Sequence, residues 1–401
     1  MLRWSRLAYN EFVLTEHFEF APERDTEIFA AVPAAPAVFL LRAADARAEP
    51  YISKTANLRR RLQRLLGPVE ERTKKLNLRA RVREIEYAPT GSDFESGFLL
   101  YSVLRAAFPK TYYYRMRFRF APLVKLHLEN AYPRASITTR LGRLGGRSLY
   151  YGPFLSRVAA EKFMNDSLDF FKMRRCVDDL HPDPKFPGCI YSEMKMCLAP
   201  CFKGCSDEEY VAEVNRVQAY FDSAGESLNR EFSAEREAAS ARLAFEDAAA
   251  IHARLEKLKP ILSQLPEIVQ RLDRLSALMI QPSSVVGSVA FFRIVTGKIS
   301  GPIPFAIQAA EHAKSQSMES RVQETLDSLP QAKGKSALET MEHLALLKRW
   351  YYRGSRIGEL FFADAKGELP MRRIVRGISR LFRGEKAETE ASRSAESGAK
   401  A

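Results

Sequence analysis

Outside residues 176–205 this chain of 401 residues has no cysteine, and nowhere does it have an apolar run long enough to cross a bilayer. A membrane span takes roughly 18–20 uninterrupted apolar residues. The longest candidate, SVVGSVAFF, runs straight into Arg293, so no membrane partner is expected. The opening residues MLRWSRLAYNEF lack the apolar core of an export signal. A cytoplasmic location is therefore expected, where disulfides are disfavoured and clustered thiols are better read as ligands. Acidic side chains are also in short supply: 49 Asp and Glu face 62 Lys and Arg, a net charge of +13. That balance favours a polyanionic partner, nucleic acid first and an acidic protein or lipid surface second.

At about 150 residues per domain the length suggests two or three domains. The pattern along the chain implies an α+β multidomain fold. PAVFLLRA and PYIS read as two short strands, followed by a helix with leucines at 58, 62 and 65. VREIEYAP reads as another strand, and SGFLLYSVLRAAF as a helix ended by Pro109. In YYYRMRFRF, Arg115, Arg117 and Arg119 alternate with Met116, Phe118 and Phe120, which predicts a strand with its guanidiniums on one face. RVAAEKFMNDSLDFF opens the cysteine segment as a helix. Ser206 and Glu209 then form a capping box before a helix with Val211, Val214, Val217 and Phe221 on its apolar side. A second helical stretch over 226–258 predicts a helical hairpin with its break near Gly225. Beyond Pro266 a helix is expected to lead to strands around SALMIQ and GSVAFFRIV, with GKIS as the hairpin turn. Helices follow over 338–351 and 370–383, and the tail after 384 has no large apolar residue and is expected to be disordered. The divisions expected are 30–120, 121–205, 206–265 and 266–383, the last a small α/β region.

Two sets of residues carry chemistry. Cys176, Cys189, Cys197 and Cys201 stand on short loops, as four thiolate ligands of one metal centre would, and tetrahedral zinc or a four-iron four-sulfur cluster would accept that spacing equally. Cys205 is left over, and His181 reads as a surface loop residue. The other set is basic: Lys54, Arg59, Arg60, Arg61 and Arg64 place five cations in eleven residues, a spacing suited to phosphate contact as well as to a solvated helix face.

Two resemblances extend this reading. Ala37-Val38-Phe39, Tyr51-Ile52-Ser53-Lys54 and Asn57-Leu58-Arg59-Arg60-Arg61 resemble the GIY-YIG nuclease domain, a small mixed sheet with helices. The resemblance puts Tyr51, Lys54 and Arg61 on family catalytic positions. It departs at Phe39, where the family has a tyrosine, and at Leu100, nine residues before Pro109, where it has its metal-binding glutamate. Tyr112 replaces the family's asparagine. A leucine cannot hold the divalent ion this chemistry needs, and Glu95 could serve only in a shifted register. Cys176 and Cys189 followed by Cys197-Leu198-Ala199-Pro200-Cys201 resemble the cluster segment of the UvrC family, which implies iron rather than zinc. Tyr151-Gly152-Pro153-Phe154 and the stretch Leu243–Leu255 fit the same family. The latter resembles the UVR motif, a helical hairpin that implies UvrB as partner through Phe245, Glu246, Ala249 and Arg254. The whole resemblance implies a truncated UvrC-like repair protein without its C-terminal nuclease. It would bind DNA through Arg59, Arg60, Arg64, Arg115, Arg117 and Arg119. An incising endonuclease and a UvrB-titrating regulator are the alternatives.

Overall fold

The computed structural model describes residues 14–45, 47–68, 76–177, 179–308, 316–328 and 336–385. These residues form three four-stranded antiparallel sheets with helices packed around them. The N-terminal sheet takes β1 (Glu16–Glu19), β2 (Ala37–Ala43), β3 (Tyr51–Thr55) and β4 (Val82–Pro89) in the order β1-β4-β2-β3. Helices α1 (Asp25–Ala31) and α2 (Leu58–Leu66) cover one face. The i, i+4, i+7 spacing of Leu58, Leu62 and Leu65 is why α2 forms: all three are buried with Phe39, Leu41 and Tyr87, and Asn57 caps the helix by accepting from the Arg60 amide. Each such leucine contributes roughly 1.5–3 kcal/mol of burial.

Helix α3 (Asp93–Ala107) lies on the other face. Ser92 caps its first turn, and it ends two residues before Pro109. Leu99 and Val103 pack on Val38 and Ala88 of the sheet. The opposite side, with Phe94, Phe98 and Tyr101, belongs to the main core. A short helix α4 (Tyr112–Met116) follows, and the strand expected here is absent. Tyr112 and Met116, four apart, are the pair that burial selects, and Arg117 at φ 50 terminates the turn.

The middle sheet, β6-β5-β7-β8, is built from β5 (Leu123–Leu126), β6 (Ala135–Thr138), β7 (Leu149–Gly152) and the two-residue β8 (Gln270–Arg271). Around it run α5 (Arg157–Leu168), the short α6 (Ile190–Glu193), α7 (Asp207–Asp222), α8 (Glu226–Ala241) and α9 (Phe245–Ser263). The Ser206–Glu209 capping box starts α7 in both its reciprocal bonds. Val214, Val217 and Phe221 are buried, but Val211 is 51% exposed. The helical stretch over 226–258 is itself broken at Leu243 (φ 59), so the closest hairpin is α8 with α9 rather than a pair hinged only at Gly225. Past Pro266 the chain makes a turn into β8, not the expected helix.

The C-terminal sheet, β11-β10-β9-β12, contains β9 (Ser276–Pro282), β10 (Ser288–Val295), β11 (Lys298–Ala306) and β12 (Glu359–Phe362). The β10–β11 turn is Thr296-Gly297, both at positive φ, because Val295 already pairs with Lys298. GKIS thus contributes its glycine to the turn and its last three residues to β11. Helices α10 (Met318–Ser328), α11 (Ala337–Tyr351) and α12 (Met371–Phe382) pack on this sheet. The tail residues from 386 lie outside the described residues.

A buried polar network fastens the two ends of the chain. Tyr101 donates to Glu342 of α11 at 2.7 Å, and Tyr112 donates to its other carboxylate oxygen. Arg105 bonds both Tyr101 (2.8 Å) and Glu339 (2.6 Å), and Lys298 reaches Glu339 at 3.1 Å. His343 beside them accepts the Ile299 amide on Nδ1 at 2.9 Å. Tyr112 is therefore a strut between α4 and α11.

Candidate functional site

Strand alternation separates the nuclease-like positions. Tyr51 lies toward α2, its ring 6.0 Å from Phe39, and its hydroxyl accepts from Arg61 at 2.9 Å. The Arg61 Nε is buried there without a hydrogen-bond partner. Lys54 pairs in register with Val38, whose side chain faces α3, and its Nζ lies 2.5 Å from Asp93 Oδ1. Arg353, arriving from the C-terminal end of α11, takes Asp93 Oδ2 at 2.7 Å. Burial works to raise the Asp93 carboxyl, but the bond and charge of Lys54, aided by Arg353, hold it below the usual carboxylate range. Sequence reading missed both Asp93 and Arg353; 260 residues separate them, and no local pattern links them.

Leu100 is half-buried and touches both the main core and the α3–sheet core. Glu95 turns away from Lys54: it is 7% exposed and accepts the Gly91 amide at 2.8 Å. Burial raises its carboxyl to about 7. The acid that meets Lys54 is thus Asp93, with both of its oxygens engaged by cations. A divalent ion at that carboxylate would have to displace a lysine and an arginine.

The basic residues divide. Arg59 is half-buried and donates to the carbonyls of Val32 (2.8 Å) and Ala30 (3.2 Å), closing the C-terminal end of α1. Arg60 and Arg64 are exposed on α2. Arg115 stacks over Phe108 at 3.7 Å and bonds Glu49 at 2.8 Å, while Arg117 and Arg119 are exposed.

The cysteine segment follows α5 as irregular loops. Cys176 accepts from Arg174 at 3.3 Å, Cys189 caps α6, Cys197 accepts the Ala199 amide at 3.3 Å, and Cys201 sits in the turn Pro200–Phe202 between Ala199 and Lys203, both at φ 58. The excursion through His181, itself exposed, is tied back by the Asp183 amide on the Cys201 carbonyl at 2.9 Å. Burial pushes the Cys197 thiol up to about 11, with Cys176, Cys201 and Cys189 each adding to the rise. Soft sulfur donors of this number suit iron or zinc. Among the described residues, however, no three metal-competent side chains stand at ligating separation. Cys205 is raised by burial and then by Glu209 and Asp207, which sets it on the α7 side of the segment.

In the helical hairpin Leu243 is 72% and Phe245 65% exposed at the tip, and Glu246 and Ala249 are exposed beside them. Leu255 and Leu258 are buried and Ile251 packs partly on the core, so the inner half of α9 is structural. Arg254 stacks over Phe232 of α8 at 4.1 Å.

The family described as UvrC/Cho excinuclease, middle domain, matches residues 121–220. The match spans the middle sheet's first three strands, all five cysteines and most of α7. The chain is UvrC-like. It is 26% identical to the UvrABC system protein C of Rickettsia bellii over 265 residues, which are 66% of this chain and 41% of that protein. For the protein of the same name in Carboxydothermus hydrogenoformans the figures are 29% over 235 residues, 58% and 38%. For that of Dehalococcoides mccartyi they are 24% over 289 residues, 71% and 46%. This UvrC-like chain thus spans less than half the length of these relatives. No solved structure matches it. Among the described residues no helix is long and apolar enough to cross a membrane.

Proposed function

We propose that this UvrC-like chain acts in nucleotide-excision repair as a docking and DNA-binding component. The α8–α9 hairpin engages UvrB, exposed arginines engage phosphates, and the N-terminal sheet serves as scaffold rather than as a cutting centre. The observation that carries the reading is the family match through the cysteine segment, followed directly by a hairpin whose apolar tip, Leu243 and Phe245, is open. An exposed aromatic anchor flanked by charge suits a partner helix pair. Phe245→Ala is expected to weaken UvrB capture by about tenfold or more, read by titration of labelled UvrB, with no change in melting temperature. Unchanged capture would remove UvrB docking at this hairpin.

Cys176, Cys189, Cys197 and Cys201 would hold a four-iron four-sulfur cluster, which when bound would cross-link the loops between α5 and α7. A brown anaerobic preparation with iron and sulfide near four each per chain is expected; stoichiometric zinc without iron would replace that assignment.

A second reading, a metal-dependent DNA endonuclease, is favoured by the intact Tyr51–Arg61 hydrogen bond and by a carboxylate beside Lys54. Magnesium- or manganese-dependent nicking of damaged DNA with UvrB, abolished by Lys54→Ala and Arg61→Ala, would establish it. The scaffold reading expects the same background rate for all three proteins.

A further inference from the structure

The segment from Lys110 to Phe120 adds to no sheet. Because α4 buries Tyr112 and Met116, the side chains between them turn outward. Tyr113 is 41% and Tyr114 68% exposed, and their ring centroids are 3.9 Å apart, inclined at 37°. Lys110, Arg115, Arg117 and Arg119 are exposed in the same ten residues. Among the described residues the one carboxylate paired with this group is Glu49, on Arg115. Tyr113, whose ring also meets that of Tyr112 edge-on at 6.1 Å, and the more open Tyr114 thus form an exposed ring pair among four cations with one neutralising charge.

A duplex would satisfy the cations with its phosphates but keeps its base faces inside the stack. An acidic protein would satisfy the cations and leave the rings uncovered. A strand with unstacked bases offers phosphates and flat π-faces together, at the spacing of neighbouring side chains. We propose that Tyr113 and Tyr114 form a stacking platform for unpaired nucleobases, with Lys110, Arg117 and Arg119 holding the flanking phosphates and Arg115 fixed against Phe108 and Glu49 as the platform's edge. The proposal rests on the DNA-binding reading above and narrows its ligand to a strand that is locally unpaired.

The test is fluorescence anisotropy of the full chain on three DNAs: a duplex, the same duplex with a central unpaired bubble, and a single strand. Bubble and single strand are expected to bind more tightly than duplex. The double variant Tyr113→Ala, Tyr114→Ala is expected to lose about tenfold or more on those two and to leave duplex binding unchanged. Tyr114→Trp, which keeps a ring, retains the preference. Arg117→Ala with Arg119→Ala weakens all three DNAs alike and flattens the salt dependence. Equal losses of the tyrosine variant on all three DNAs, or competition by polyglutamate as effective as that by single strand, would overturn the platform while leaving DNA binding standing. A chain that binds none of the three would overturn both.

Discussion

Glu342→Leu is expected to lower the unfolding free energy by about 3–5 kcal/mol, the cost of breaking a buried charged hydrogen-bond network from one side. Glu342 is 1% exposed, and both of its oxygens accept from tyrosine hydroxyls, Tyr101 and Tyr112. A leucine fills much of the volume but leaves two buried hydroxyls without an acceptor, and it removes a carboxylate next to Arg105. Glu342→Gln keeps an acceptor and is expected to lose about half as much. Equilibrium urea denaturation reads both. A Leu variant within about 1 kcal/mol of the wild type would mean that these hydroxyls find other partners, and that the network does not fasten α3 and α4 to α11.

The second large effect is one of pH, and it needs a variant to become visible. His343 is 5% exposed, faces Glu339, Arg105 and Lys298, and burial lowers it from 6.5 to about 4. The unfolded chain binds that proton between those values and the folded one does not, so stability falls as pH drops from about 6.5 toward 4. Glu95 behaves oppositely. Burial raises it from 4.5 to about 7, so the folded chain holds a proton that the unfolded chain has released, and stability falls as pH rises across that range. Between pH 4.5 and 6.5 the slope of Glu95 opposes that of His343, to which His127, also lowered by burial, adds, so the wild type is expected to vary less with pH than either group alone would make it. Glu95→Gln keeps an acceptor for the Gly91 amide and removes the titration. It is expected to gain about 2–3 kcal/mol at pH 8 and nothing at pH 4.5. Its stability is then expected to fall by about 2–3 kcal/mol between pH 6.5 and 4, exposing the histidine. Denaturation curves at intervals across this range decide it; a Gln variant parallel to the wild type at every pH would refute the assignment to Glu95.

The elements that were legible in the sequence are those whose periodicity and caps agree. The leucines of α2 and the Ser206–Glu209 box of α7 each combine a pattern with a local hydrogen-bonding signal and are found where expected, while the β10–β11 hairpin forms with its turn earlier, at Thr296-Gly297. The alternation at 115–120 misled because two periods coexist there: Met116, Phe118 and Phe120 alternate, but Tyr112 and Met116 are also one helical turn apart, and burial chose the second. Leu243 breaks a helix at positive φ without glycine, so nothing in its residue type marked the break. At the candidate site, Tyr51 and Arg61 stood out only through the family resemblance, and their hydrogen bond across ten residues of strand and helix came from the structure. The ion pairs of Asp93 join segments far apart in the chain, which a local pattern cannot carry.

Beyond Asp93, α3 has no exposed residue: one side roofs the N-terminal sheet and the other lies against Phe292 and Trp350. A carboxylate at position 100 is therefore opposed by solvation. A glutamate introduced at this half-buried position, which touches both cores, would lose part of its water at a cost of about 1–3 kcal/mol. Placing a carboxylate at this position would require the packing of both neighbours to loosen first, so the same contacts that hold this helix between two sheets oppose a metal ligand on it.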